Sequence, residues 1–122
     1  MNGGEQKLLG RWGEARVAQW LRERGYRLVG ANWSCRFGEI DLIAVDDKYI
    51  CFAEVKLRKN GQFAQAREFV DRRKQEKLRT AAELYLMQNP TELQPRFDVA
   101  EIYAPQGTET VEPVINYIIN AF

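Results

Sequence analysis

Residues 39–56 read EIDLIAVDDKYICFAEVK, and how this stretch pairs with itself decides the architecture. Two runs rich in β-branched and apolar residues, 39–45 and 49–56, flank the polar Asp46-Asp47-Lys48, the pattern of two strands and a tight turn. Side chains alternate faces along a strand, so Glu39, Asp41, Ile43 and Val45 share one side. In the next strand Phe52, Glu54 and Lys56 share a side. A two-residue loop at Asp47-Lys48 pairs Asp46 with Tyr49, and that register sets Asp41 directly opposite Glu54. A four-residue loop over 46–49 gives the same alignment; a three-residue loop destroys it. Opposed residues in such a hairpin have Cβ atoms about 4.5–5.5 Å apart.

Two facing carboxylates repel unless a proton or a cation lies between them. A hard divalent cation such as Mg2+ suits oxygen ligands and keeps room for waters and a substrate phosphate. Lys56, on the same face as Glu54, is placed to orient an attacking water or to steady phosphate charge. The competing reading is an ion-pair ladder on a solvated face. Against it, Ile40-Asp41-Leu42-Ile43-Ala44 and Cys51-Phe52-Ala53-Glu54-Val55 read as buried on both faces, where an unpaired carboxylate is costly.

Outward from the hairpin, residues 5–24 read as a helix, with Leu9, Gly13, Val17, Trp20 and Leu21 at helical spacing and Gly25 as its stop. Glu14 belongs to that helix's apolar stripe with Val17, Ala18 and Leu21. It is either a further acid of the site or the partner of Arg11 or Arg16. Residues 26–32 have strand character and 33–38 read as a loop. Residues 57–69 read as a basic, glycine-containing connection, 70–87 as a second helix stopped by Asn89-Pro90, and 96–103 and 114–118 as strands. The order predicts an α/β (α+β) fold with a mixed sheet, in a single domain over 1–122. Trp12 and Trp20 read as core residues, whereas Trp33 is placed in a loop.

The chain has no histidine, which removes Ser-His-Asp and Cys-His catalysis and His-ligated zinc. Cys35 and Cys51 are a poor zinc set, and a disulfide between them is not expected. No apolar run approaches the roughly 20 residues that cross a bilayer, and the start lacks a signal-peptide core, so a cytoplasmic protein without membrane partners is expected. The net charge is +1 but uneven. Lys56 to Arg79 holds nine bases against three acids, and Thr80 onward six acids against one base. That asymmetry points to a polyanion. Arg58, Lys59, Arg72, Arg73, Lys74, Gln75 and Lys77 are the candidate phosphate contacts, set against the plainer reading of a solvated helix start.

Taken together, Gly10-Arg11-Trp12-Gly13-Glu14-Ala15, Gly25-Tyr26, Asn32-Trp33, residues 38–44, residues 52–58, Arg73-Lys74-Gln75, Arg96-Phe97-Asp98-Val99 and Asn120-Ala121-Phe122 resemble the YraN-like family of small bacterial proteins. That family is similar to archaeal Holliday-junction resolvases of the PD-(D/E)xK, restriction-endonuclease-like superfamily. Ile40 stands where the superfamily's name has proline. The resemblance implies an αβββαβ core, Asp41 and Glu54 as ligands of Mg2+ or Mn2+, Lys56 as assistant to the nucleophilic water and Glu14 as an accessory acid. The expected function is a metal-dependent endonuclease acting on DNA, with structured or branched DNA favoured and, for a branched substrate, a two-fold dimer. The rival expectation is a nucleic-acid-binding module with the same fold and little activity alone.

Overall fold

A computed structural model describes residues 3–59 and 71–122 of the chain. Helix α1 (Gly3–Glu23) is followed by β1 (Arg27–Cys35), β2 (Gly38–Val45) and β3 (Tyr49–Arg58), then by α2 (Arg72–Gln88), β4 (Gln94–Tyr103) and β5 (Val114–Ile118). A single 3-10 turn at Gly107–Glu109 joins the last two strands. This is the expected αβββαβ order, followed by the strand expected over 114–118. The expected connection 57–69 begins later than predicted, because β3 runs on through Leu57 and Arg58; residues 60–70 lie outside the described residues.

The five strands form one sheet in the order β1-β2-β3-β4-β5. All neighbours are antiparallel except β3 and β4, which run parallel because α2 carries the chain back across the sheet. The helices cover opposite faces. Val17, Ala18 and Leu21 of α1 pack on Leu42, Ala44, Ala53, Ala100 and Ile102. Leu78, Ala81, Ala82 and Tyr85 of α2 pack on Ile40, Ile43, Val45, Ile50, Phe52 and Val99. Strands covered on both sides read as nearly continuous apolar runs, which is why 40–45 and 50–55 show so little alternation. Trp12 and Trp20 pack against the α1-side core, as expected, and Trp20 stacks on Tyr117 with ring centroids 4.9 Å apart.

Two glycines set the pose of α1. Gly25, at φ +90°, ends the helix in a Schellman arrangement, with its N–H donating to the Arg22 carbonyl and the Tyr26 N–H to that of Leu21. Gly13 lets the helix lie close to the sheet: a Cβ there would come within 3.2 Å of the Leu57 side chain. The residue after it, Glu14, is thereby held beside β2 and β3.

Strand β1 extends past the predicted boundary. Trp33, Ser34 and Cys35 are strand residues opposite Ile40, Glu39 and Gly38, leaving only Arg36 and Phe37 as the hairpin loop. The reason is Asn32, whose φ of +51° is a left-handed conformation that asparagine tolerates inside a strand. Pairing continues across it, with Ala31 opposite Leu42 and Trp33 opposite Ile40. Trp33 then packs on the α2-side core, edge-on to Tyr85.

A buried polar clamp closes the far end of the sheet. Asp98 accepts hydrogen bonds from Arg96 Nε (3.0 Å) and Nη2 (3.0 Å), from the Tyr117 hydroxyl (2.6 Å) and from the Asn120 N–H (3.0 Å). Arg96 also donates to the Tyr26 hydroxyl at 2.8 Å, tying the end of α1 to β4. The two cysteines are free thiols, and burial pushes the Cys51 thiol up to about 12, out of reach of redox chemistry at neutral pH. Removing one partner of a buried ion pair strands the other. Asp98→Ala is therefore expected to cost about 3–5 kcal/mol of unfolding free energy in urea titrations. A loss below about 1 kcal/mol would mean the clamp is dispensable.

Candidate functional site

The site grows out of the β2–β3 hairpin. Asp46 N–H donates to the Tyr49 carbonyl across the two-residue turn, and the Asp46 carboxylate caps that turn by accepting from the N–H groups of Lys48 and Tyr49. The ladder then pairs Val45 with Ile50, Ala44 with Cys51, Ile43 with Phe52 and Leu42 with Ala53. This is the register expected from the turn. It stops one pair short of Asp41 and Glu54. Ile40 packs toward α2 and Leu42 toward α1, so the alternation of β2 breaks at Asp41 itself. The Asp41 carboxylate replaces the missing rung by accepting from the Val55 N–H at 2.9 Å.

Asp41 thus stands in a fork between two strands, with acids on several sides. A carboxylate oxygen from each of Glu14, Glu39 and Asp41 lies within 4.8 Å of the others. Burial, and after it the charge of Glu54, pushes Asp41 up to about 8; the Val55 N–H opposes this, and Glu14 and Glu39 add to it. Burial likewise raises Glu14, against hydrogen bonds with Asn32 and Asp41. The Glu14 Oε1 atom is buried without a hydrogen-bond partner.

Glu54 faces different company. It is buried, and it pairs with Lys74 from the first turn of α2 and with Lys56 at 3.5 Å. Burial, then the neighbouring Lys74, holds Lys56 below the usual lysine range. For Lys74 burial pulls downward, but its bond to Glu54 prevails and the pKa is raised. The structure therefore brings Glu14, Asp41, Glu54 and Lys56 into one neighbourhood and divides it. Acids crowd together on the α1 side, and an acid with two ammonium groups lies on the α2 side.

Of the predicted phosphate contacts, Lys74 is part of the site itself. Asp71 caps α2 by accepting from the Lys74 N–H at 2.8 Å, which fixes where that side chain starts. Arg72, Arg73 and Lys77 are exposed on the same helix start, Gln75 is half-buried there, and Lys59 is exposed after β3. Arg58 turns inward, 3.6 Å from the fully buried Glu101, which also accepts from Asn116. Arg36 lies over the Phe37 ring in the β1–β2 loop, 4.7 Å from its centroid. Sequence reasoning gave no role to Glu39, although strand parity already placed it beside Asp41. Asn32 carried no such signal, since its hydrogen bond with Glu14 joins residues 18 apart in the chain.

The sequence profile described as "Uncharacterised protein family UPF0102" matches residues 13–102, from Gly13 through the catalytic candidates to Ile102. A UPF0102 protein of Caldanaerobacter subterraneus subsp. tengcongensis is 42% identical over 118 residues, covering 96% of both chains. One from Acetivibrio thermocellus is 40% identical over 99% of this chain and 95% of the relative. Another from Syntrophomonas wolfei is 42% identical over 93% and 96%. The chain belongs to the UPF0102 family, the YraN-like group.

Because the folded-state pKa of Asp41 lies above its ordinary value, its contribution to stability is present in acid and lost as pH rises from about 4 through about 8. Thermal melts in EDTA should therefore show wild type losing more stability than Asp41→Asn between pH 5 and pH 8. Parallel pH profiles for the two proteins would contradict the crowding of charge at Asp41.

Proposed function

We propose that this UPF0102 member is a divalent-cation-dependent endonuclease that hydrolyses phosphodiester bonds of DNA, with structured or branched DNA as its substrate. The observation that carries the reading is the Asp41 fork. Three carboxylates converge within 4.8 Å, with the charge of Arg11 opposing Glu14, next to a carboxylate flanked by two lysines. Acids in such a position favour either protons or a cation.

The residues fit Mg2+ or Mn2+. All donors are hard oxygens, and the buried, unpartnered Glu14 Oε1 is an atom whose desolvation a cation would offset. Asp41 and Glu54 would hold the ion, with Glu14, directly or through a water, completing the set and Glu39 at its exposed rim. The ion would supply Lewis-acid polarisation of the phosphate and a more acidic water.

The protein's own groups do the rest. Lys56, half-buried and with its proton affinity lowered, orients the attacking water and accepts or returns a proton. Lys74 holds Glu54 in place and offers positive charge on the α2 side of the scissile phosphate. Arg72, Arg73 and Lys77, exposed on the same helix start, neutralise flanking phosphates. Two symmetric cuts in a branched substrate would need two such sites, hence a two-fold dimer.

One observation favours the alternative of a binding module with little activity alone: Glu54 is already neutralised by Lys56 and Lys74. Cleavage of labelled junction, flap, duplex and single-stranded DNA separates the two. Wild type should cut in Mg2+ or Mn2+ and not in EDTA. Asp41→Asn and Lys56→Ala should each lose at least about 100-fold in rate. Cleavage untouched by both substitutions would refute the mechanism, and binding without cleavage in either metal would favour the module.

A further inference from the structure

Two cavities lie between α1 and β1, of about 430 Å3 and 290 Å3. Both are lined by Arg11, Glu14 and Asn32, so they are two stretches of one groove that passes over the acidic end of the Asp41 site. Lys7 lies along the first stretch and Arg22 along the second. Residues 7, 11 and 22 are four and eleven apart, which places them within roughly 60° of arc on the helix. The groove therefore has a wall of three cations spread over about 22 Å of helix, with the acids between them.

These cations differ from their neighbours on and just after α1. Arg16 donates to the Val111 carbonyl and lies over Trp12; Arg24 donates to the Trp20 carbonyl and lies 3.6 Å from the centroid of its ring. Among the described residues, Lys7, Arg11 and Arg22 make no ion pair within 4.0 Å and no hydrogen bond, the charge of Arg11 acting on Glu14 from farther off. Small residues keep the groove open beside them: a Cβ added to Gly10 would meet nothing within 4 Å, and Ala15 and Ala18 line the second stretch.

We infer that this groove seats the phosphate backbone of a single DNA strand, with Arg11 and Lys7 gripping phosphates on one side of the acids and Arg22 on the other. Cations at helical spacing complement a polyanion, and the acids at the centre are where the scissile phosphate would meet the cation. A concavity of this size admits one strand and shuts out a duplex. The inference rests on the nuclease reading for its orientation. It places the strand on the face opposite the α2 lysines, so that the fork is reached from both sides of the sheet.

The test is fluorescence anisotropy of a labelled 20-nucleotide single strand, in EDTA so that no turnover occurs, over a range of salt. The Arg11→Gln, Arg22→Gln double variant should bind on the order of tenfold more weakly at 0.1 M salt, with the slope of log affinity against log salt reduced by roughly 1.4. Gly10→Phe, which fills the groove while replacing a helix-weakening glycine, should also bind more weakly with an unchanged or higher Tm. Both losses together support the groove whatever the cleavage assays give. Wild-type affinity in both variants overturns it and leaves the nuclease reading standing. An equal loss of affinity for blunt duplex overturns the assignment to a single strand. Wild type that binds no DNA in EDTA or in Ca2+ overturns the groove and the nuclease reading together.

Discussion

The hydrogen bond from the Val55 N–H to the Asp41 carboxylate is a side chain acting as a rung of the sheet. Where a backbone carbonyl would have continued the β2–β3 ladder, a side-chain carboxyl takes its place, and the two strands part around it. The fork so formed exposes Asp41 to both faces at once. Glu14, held close by the glycine that lets α1 approach the sheet, meets it from one side. Glu54, on the other side, meets α2 through Lys74. A regular ladder would have confined each of these groups to a single face.

Charge is then distributed unequally across the fork. The α2 side is neutralised internally by two lysines around one glutamate. The α1 side is left with a cluster of carboxylates, and burial, then the charge of Glu54, with Glu14 and Glu39 adding to it, keeps Asp41 protonated up to about pH 8. A structure that served stability alone would not gather three acids at one point. The excess is concentrated at one point, flanked by cations along α1 and at the start of α2, and this is the arrangement expected of a site that draws in a metal and a phosphate. The Asp98–Arg96 clamp, a buried charge group of similar size, is by contrast fully partnered by Tyr26, Tyr117 and Asn120, and has the character of a structural tie.

Much of this was legible in the residues. The element order, the mixed sheet and the hairpin register follow from apolar runs, turn residues and strand parity, because burial on both faces leaves a strong imprint on composition. The proximity of Asp41 to Glu54 follows from the same register. The break in alternation at Asp41 does not, since parity arguments assume a regular strand. The strand boundary set after Asn32 falls short because the pairing of Trp33 with Ile40 is a long-range fact. Lys74 was anticipated as a phosphate contact, yet its bond to Glu54 depends on where the N-cap of α2 sets its first turn.

The central claim is that Asp41 is the shared ligand of a divalent cation. Calorimetric titration of Mn2+ at pH 7, repeated in buffers of different ionisation enthalpy, addresses it directly. Because Asp41 is protonated there, binding should release close to one proton per cation in wild type, and Asp41→Asn should lose both the binding and the released proton. Mn2+ binding of equal affinity in the two proteins, or no binding in either, would contradict the account.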